Sequence, residues 1–499
     1  MKKIIFSIFI FFFLIFIFIS INTMKKTSFH DFDEANRAEA VKNMKEYQFY
    51  LAPLTGSPFL RNEKLTIKVK DNPSLSLFVH LERPPLFFWL TAVSTFLFGE
   101  SELVYRLPSF LFGLVTILIT FFLHPLSTLS ILQSTDLWLS SQNALMDTML
   151  TFFLFIAFLT FLKAINSKNK LFYFLSGLFW SLSFLAKGQP TVIFIFPLIF
   201  SFFVKKLNLK NLFLIFFGFF LIVFPWVFLV IYNFGLNNFI LGFFGFASKK
   251  TFSFDPTQEA PAFWYIRWWF ESFRVGSVLF FVLLINDFLT KKFDFKKMLI
   301  LSYFIPSFFL FSLAKNKVWW YVLPLIPVIT LYLHYSISDI LKADKRKLFN
   351  LSLIVFISSL PIFFGLSNKL ALFFEILMII LGILILKINI KKKVSFIYPL
   401  VVFLSLLFFT FRFPKIIPNF YEAKKVGEYY QKLPQPKCLF VKDIPYEAVL
   451  FYTNAKEVNY LGQKPLFKNC KNYLITTDKN LNFKKIFKSQ NLILYYLEN

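Results

Sequence analysis

Glycine is scarce in this chain, with 14 among 499 residues against 78 phenylalanines. No glycine-rich loop of the P-loop or dinucleotide type is present, so nothing supports a nucleotide or nucleotide-sugar site. Histidine is scarcer still, at four, and His30 and His80 stand fifty residues apart, which is no zinc-ligand spacing. Cysteine stops at two, Cys438 and Cys470, both near the end of the sequence. An oxidising compartment would permit a bridge between them, and two unpaired thiols are the alternative. Acidic residues number 27 against 54 Lys and Arg, a formal charge of +27. That excess does not point to nucleic acid. It falls in short clusters between apolar runs, where anionic lipid head groups are the natural counter-charge.

What remains is apolar. Hydrophobic residues make up 57% of the chain, too many for water to be its main solvent. The start, MKKIIFSIFIFFFLIFIFIS, pairs a basic end with an apolar stretch of spanning length and has no small-x-small cleavage site after it. It reads as an uncleaved first span. Twelve further candidate spans lie near 103–123, 125–141, 148–163, 171–186, 189–204, 211–233, 272–289, 298–313, 319–338, 350–366, 369–387 and 395–411. Gln133 and Asp136 make 125–141 the weakest. About thirteen transmembrane helices are therefore expected.

Charge orients them. With the N-terminus in the cytoplasm, the inner loops carry Lys163/Lys168/Lys170, Lys205/Lys206/Lys210, Lys291/Lys292/Lys296/Lys297, Lys342/Lys345/Arg346/Lys347 and Lys387/Lys391/Lys392/Lys393. The short outer loops carry only Lys187, Lys315, Lys317 and Lys369, as the positive-inside rule requires. Three long segments then face outward: 22–102, 234–271 and 412–499. The expected organisation is a membrane domain over 1–411 and a small soluble α/β domain over 412–499; with the N-terminus in the cytoplasm, an odd span count puts the C-terminus in the periplasm. Helix-like AKKVGEYYQKL and strand-like CLFVK, KNYLITT and LILYYLEN support the α/β reading of the tail.

Polar chemistry gathers in the first long loop. Asp31, Asp33, Glu34, Arg37 and Glu39 crowd a short helical stretch, and Asp33 and Arg37 stand four apart, so they can pair on one face. A solvated acidic helix start is the plain alternative. The loop closes on HLERPPLFFWL, where Glu82 and Arg83 precede two prolines that fix the backbone. An acid–base pair on a rigid turn beside apolar sequence suits capture of a phosphate whose lipid tail lies in the bilayer, because Arg grips phosphate oxygens bidentately. A snorkelling interfacial Arg explains the same residue more simply.

Taken in order, these segments resemble a known signature. DEANRAEA at 33–40 is followed by ERPPLFFWLTAVSTFLFGESELVYRLPS at 82–109. Further on come NALMDTMLTFF around Asp147, FLAKGQP around Lys187, EAPAFWYI around Glu259 and SLAKNKVWWYVLPLIP around Lys317 and Tyr321. The pattern resembles the lipid A aminoarabinose transferases and the wider protein-mannosyltransferase-like family of membrane glycosyltransferases with the GT-C fold. It covers roughly the first 340 residues. Two departures stand out. The family usually has Lys where Arg83 stands, and its Arg after Asp-Glu-Ala is Asn36 here, with Arg37 one residue later and so rotated by about 100° on a helix.

The resemblance implies a donor sugar on a polyprenyl phosphate and an envelope acceptor, either a lipid A-like lipid, a glycan or a protein. It implies Asp33 as the base, Asp147 as a second acidic residue, and Glu34 beside them. Donor-phosphate contacts would come from Arg83, Arg37, Lys187, Lys317 and Tyr321, since charge builds on the leaving phosphate. Glu82 would position the acceptor or a metal, with an ion pair to Arg106 as its plain alternative. The family's transferase holds a metal partly through a histidine near the EAPAFWYI segment. This sequence has none there, which leaves Glu259 as the candidate replacement or no metal at all. The rival class is a multi-span transporter or lipid-carrier flippase. Such proteins place ionisable residues at the bilayer midplane and show internal repeats, whereas the expected spans here are nearly free of charge.

Overall fold

The computed structural model describes residues 2–29, 32–55, 65–69, 72–123, 128–252, 260–261, 263–344, 347–364, 368–387, 403–407, 409–411, 423–442, 451–453, 459–460, 466, 470–478, 481, 483–489 and 492–497. Its helices run in the order α1 (Lys2–Lys26), α2 (Phe32–Glu46), α3 (Leu86–Phe98), α4 (Glu102–Leu123), α5 (Thr128–Leu132), α6 (Thr135–Gln142), α7 (Met146–Ser167), α8 (Lys170–Lys187) and α9 (Ile195–Phe203). They continue through α10 (Leu209–Phe234), α11 (Leu236–Phe252), α12 (Trp264–Phe273), α13 (Val275–Leu289), α14 (Phe295–Leu313), α15 (Leu325–Ala343), α16 (Lys347–Phe364) and α17 (Asn368–Lys387).

This is an α-helical polytopic membrane protein with a small C-terminal sheet domain. By length and composition, seven described helical stretches can cross a bilayer, within α1, α4, α7, α10, α14, α17 and Trp319–Ala343. The pair α12–α13, bent by 110°, brings the number to eight if it is one span. Large apolar side chains such as Phe213, Phe217, Phe220, Phe224 and Phe228 stay exposed on α10, as lipid contact allows. The expected span at 125–141 is not one helix: its described part forms two short helices, α5 and α6, of 5 and 8 residues, and α6 runs back along α4, with Ser141 against Gly113 and Leu145 O accepting the Ser109 hydroxyl. Ser134 caps α6 by accepting the Leu137 N–H, which restarts the helix inside the run. The expected span near 395–411 falls largely outside the described residues.

Close helix contact depends on two glycines. On α8 a Cβ at Gly177 would collide with the Ile215 carbonyl of α10, and one at Gly218 would meet Phe174 O at 2.5 Å. Small residues facing each other let two backbones approach, the usual device for packing helices in lipid.

Two sheets flank the bundle. The first long loop forms β1 (Leu54–Thr55), β2 (Thr66–Val69) and β3 (Asn72–Val79), antiparallel in the order β1-β3-β2. Leu77, Val79 and Leu81 pack with Trp226 and Val230 of α10 and Phe239 and Phe243 of α11, which fixes the turn that follows β3. The C-terminal domain has a helix at Ala423–Gln431 and strands β4 (Lys437–Lys442), β5 (Asn459–Tyr460), β6 (Lys471–Thr476), β7 (Lys484–Ser489) and β8 (Leu492–Leu497). Their order is β5-β4-β6-β8-β7, with β4 parallel to β5 and β6 and β8 antiparallel to both its neighbours. Cys438 and Cys470 are disulfide-bonded beside β4 and β6, with Cα atoms 5.8 Å apart.

Candidate functional site

The first turn of α7 and the last turn of α8 meet at one end of the bundle. A carboxylate at a helix N-terminus and an ammonium at a helix C-terminus each complement the helix dipole. Asp147 and Lys187 occupy those two positions and form a buried ion pair. The Lys187 ammonium also lies 5.1 Å from the centre of the Tyr321 ring, over its face. Gly188, at φ +80°, turns the chain away in a conformation that suits glycine, where a Cβ would press on Phe243 and Pro84.

Helix α2 contributes the second layer. Its i,i+4 pair sets Arg37 Nη2 at 3.3 Å from Asp33 Oδ2, while Arg37 Nη1 reaches the Ala144 carbonyl at 3.5 Å. Asp33 and Arg37 lie close enough to act electrostatically on both Asp147 and Lys187. The turn after β3 supplies Arg83. Its Nη1 donates to Asn36 Oδ1 at 2.7 Å, its Nη2 stands 3.7 Å from Asp33 Oδ1, and its Nε stands 3.8 Å from Glu82 Oε1. Asp33 thus sits between two guanidinium groups and retains 20% side-chain exposure.

Glu82 is buried behind Arg83. His80 Nδ1 lies 3.0 Å from Glu82 Oε1, and His80 Nε2 lies 2.5 Å from the Thr55 hydroxyl. Burial works to raise the Glu82 carboxyl, but His80 and Arg83 outweigh it and hold the group below the ordinary carboxylate value. Within the cluster, Asn36 Nδ2, Arg37 Nε, Glu82 Oε2 and Asp147 Oδ2 are buried without a hydrogen-bond partner. Buried polar atoms are usually bonded, so these four still have hydrogen bonds to give to or receive from a polar ligand.

The structure therefore gathers Asp33, Arg37, Arg83, Glu82, Asp147, Lys187 and Tyr321. It places the other expected residues differently. Glu34 is engaged by Arg106, through Nε at 2.6 Å and Nη2 at 3.0 Å, and accepts the Ala144 N–H at 2.9 Å. Arg106 thus pairs with Glu34, not with Glu82. Lys317 is buried and donates to Ala260 O at 3.0 Å and Ala314 O at 2.5 Å. Glu259 lies outside the described residues. Cys438 lies on β4 and Cys470 immediately precedes β6 of the C-terminal sheet. Sequence reading missed Asn36 as the acceptor of Arg83 and His80 as the partner of Glu82. Neither sits at a diagnostic spacing, and only the fold brings positions 36 and 83 together.

The resemblance raises a resident divalent metal. Among the described residues no three His, Cys, Asp or Glu side chains converge as ligands, and the Glu82 carboxylate that would serve is tied to His80 and Arg83. The donor set there does not fit a metal, and no chemical step below is routed through one.

A family model described as dolichyl-phosphate-mannose-protein mannosyltransferase matches residues 82–229. An uncharacterized protein of Aquifex aeolicus is 29% identical over 271 residues, covering 52% of this chain and 60% of that protein. The undecaprenyl phosphate-alpha-4-amino-4-deoxy-L-arabinose arabinosyl transferase of Wigglesworthia glossinidia brevipalpis is 25% identical over 320 residues, 59% of this chain and 56% of its own length. The protein of the same description from Serratia proteamaculans is 25% identical over 304 residues, 55% and 53% respectively. The chain thus aligns with under two thirds of each curated relative's length. The crystal structure of ArnT from Cupriavidus metallidurans bound to undecaprenyl phosphate superimposes with a TM-score of 0.67 at 14% identity, over 98% of this chain and 97% of that one. The chain is a multi-span membrane protein with the GT-C fold, similar to the lipid A aminoarabinose transferases and to the protein mannosyltransferases.

Proposed function

We propose that the protein is a glycosyltransferase that moves a sugar from a polyprenyl-phosphate donor to an envelope acceptor at the periplasmic face of the bacterial inner membrane. The observation that carries this reading is the convergence of Arg37, Arg83 and Lys187 around Asp33 and Asp147. Three cations in a sheltered cluster match a phosphate that gains charge as it leaves. The relatives described as transferases use an undecaprenyl-phosphate sugar. The clusters of Lys and Arg on alternate loops support the cytoplasmic N-terminus and the outward-facing site.

The acceptor's nucleophilic oxygen attacks the anomeric carbon, that carbon's bond to the donor phosphate breaks, and the phosphate leaves with its lipid. Asp33, the most exposed carboxylate of the cluster, receives the acceptor's proton or holds its hydroxyl in line. Arg83 and Arg37 grip phosphate oxygens through the N–H edges that now point at Asp33, so donor binding frees the carboxylate for the acceptor. Lys187 adds charge from below, kept in place by Asp147, and the Tyr321 hydroxyl donates a hydrogen bond to the phosphate. Glu82 and Asn36 aim Arg83. Lys317, held by the Ala260 and Ala314 carbonyls, is left out of this set, and Glu34 holds α2 in position. The acceptor is a lipid A-like lipid, a glycan or a protein, and the sugar a hexose or pentose.

The test is sugar transfer by the purified protein from a panel of polyprenyl-phosphate sugars to membrane lipid and protein acceptors, with Asp33→Asn alongside. Transfer is expected to fall by about 10²–10⁴-fold in a folded Asp33→Asn protein. A wild type that transfers nothing from any donor overturns the transferase reading, and an active Asp33→Asn overturns the mechanism alone.

A further inference from the structure

The stretch FGESELVYRLPS carries three charged residues, Glu100, Glu102 and Arg106, none of which takes part in the proposed chemistry. Arg106 is buried and donates to Glu34 and to the carbonyls of Met24, Thr27 and Ser28. It ties the end of α1 to α2. Glu102 opens α4 and looks the other way. Its Oε1 accepts the Tyr452 hydroxyl at 3.1 Å and lies 2.8 Å from Lys424 Nζ, and both donors belong to the C-terminal domain.

Tyr452 does more than reach Glu102. Its oxygen accepts the backbone N–H of Phe29 at 2.9 Å across 423 positions of sequence. A phenolic hydroxyl has one proton to give and lone pairs to receive with, so this one atom fills both roles. Around it the Phe451 ring meets Phe29 edge-on at 4.9 Å and Tyr105 at 5.4 Å. Phe29, Tyr105, Val426, Tyr430 and Tyr452 belong to one buried apolar cluster. The C-terminal domain is therefore seated on Phe29, and Asp33 follows four positions later. Arg106 grips the chain just before Phe29 and, through Glu34, just after Asp33.

We propose that Tyr452 is a positioning residue for Asp33, holding through Phe29 and Glu102 the segment from which the carboxylate is presented, so that turnover requires the C-terminal domain to be docked. The proposal rests on the transferase reading for its catalytic consequence. The docking contact itself stands on geometry. A Phe29 N–H deprived of the Tyr452 oxygen is a buried donor without an acceptor, and the segment would shift to find one. A displacement of about 1 Å at a reacting group costs on the order of 10²-fold in rate.

The experiment uses the full chain with Tyr452→Phe, Glu102→Gln and Glu102→Ala, and reads both steady-state transfer and amide hydrogen exchange of a peptide spanning Phe29 to Ala40. Tyr452→Phe and Glu102→Ala are expected to lower kcat by about tenfold or more with donor KM within about twofold, since the phosphate-binding cations are untouched. Both are expected to speed exchange in that peptide while peptides from α13–α15 stay unchanged. Glu102→Gln keeps an acceptor oxygen for Tyr452 and is expected to stay near wild type in both readouts. Exchange unchanged in Tyr452→Phe overturns the proposal, as does a Tyr452→Phe enzyme with wild-type kcat. Equal loss in Glu102→Gln and Glu102→Ala also overturns it, because charge and not the hydrogen bond would then matter. Should wild type transfer no sugar, the transferase reading falls, and the exchange result still decides whether Tyr452 holds the segment.

Discussion

Arg106 holds Glu34 with two nitrogens, at 2.6 and 3.0 Å, and neither side chain is exposed to solvent. A parallel pair of N–H bonds on one carboxylate is the strongest arrangement available to these side chains. Glu34→Ala leaves the guanidinium buried without its counter-charge. A loss of about 3–5 kcal/mol in unfolding free energy is expected, measured by thermal or denaturant unfolding in detergent. A loss below about 1 kcal/mol would show that the pair is not the tie between α2 and α4.

Arg83 makes three directed approaches, to Asn36, Asp33 and Glu82. Lysine keeps the charge but offers a point donor in place of a planar fork. Arg83→Lys is expected to lower kcat/KM for the polyprenyl-phosphate donor by about tenfold, and Arg83→Ala by about 10³-fold or more. Equal losses in the two variants would show that guanidinium shape, not charge, is what the site uses.

Glu82 has its folded-state pKa below the ordinary 4.5, because His80 and Arg83 outweigh burial. A depressed carboxylate contributes stability that is present above its unfolded pKa and lost as pH falls through the folded value. Glu82→Gln removes that contribution. The melting temperature of wild type should exceed that of Glu82→Gln most at neutral pH, and the gap should close on acidification from about pH 7 to pH 3. A gap that stays constant over this range would falsify an ionised structural role for Glu82.

Gly177 lets the backbones of α8 and α10 touch, with Ile215 O where a Cβ would stand. Gly177→Ala forces the helices apart and is expected to cost about 1–3 kcal/mol in detergent unfolding. Because α8 carries Lys187 on its last turn, donor KM should rise as well. Wild-type stability in this variant would mean that the two helices separate without penalty.

The membrane class and the order of the polar motifs were legible in the chain, because hydropathy and local spacing act over a few residues. Asp33 and Arg37 pair at i,i+4, a spacing any helix offers. Partner choice between distant charges was not legible. The ion pair with Arg106 offered as the plain alternative for Glu82 does not form, and Arg106 reaches Glu34 instead. Glu82 went to His80, two positions away just past the end of β3, a pairing the sequence reading did not weigh. The run at 125–141 reads as one continuous span, and among its described residues the helix is broken where Ser134 caps α6 and Asp136 turns inward to accept the Trp268 indole N–H at 2.9 Å.

The 423 positions between Phe29 and Tyr452 also set a timetable. At about 5–20 residues per second, roughly 20–85 s of synthesis separate the two ends of that hydrogen bond. During this interval the Phe29 N–H has water or a passing partner, and the segment leading to Asp33 has its Arg106 tether but not its Tyr452 support. A chain that has threaded every helix is still unfinished. On the positioning role proposed for Tyr452, its site comes to order only when the last-made domain has folded back onto the first-made loop.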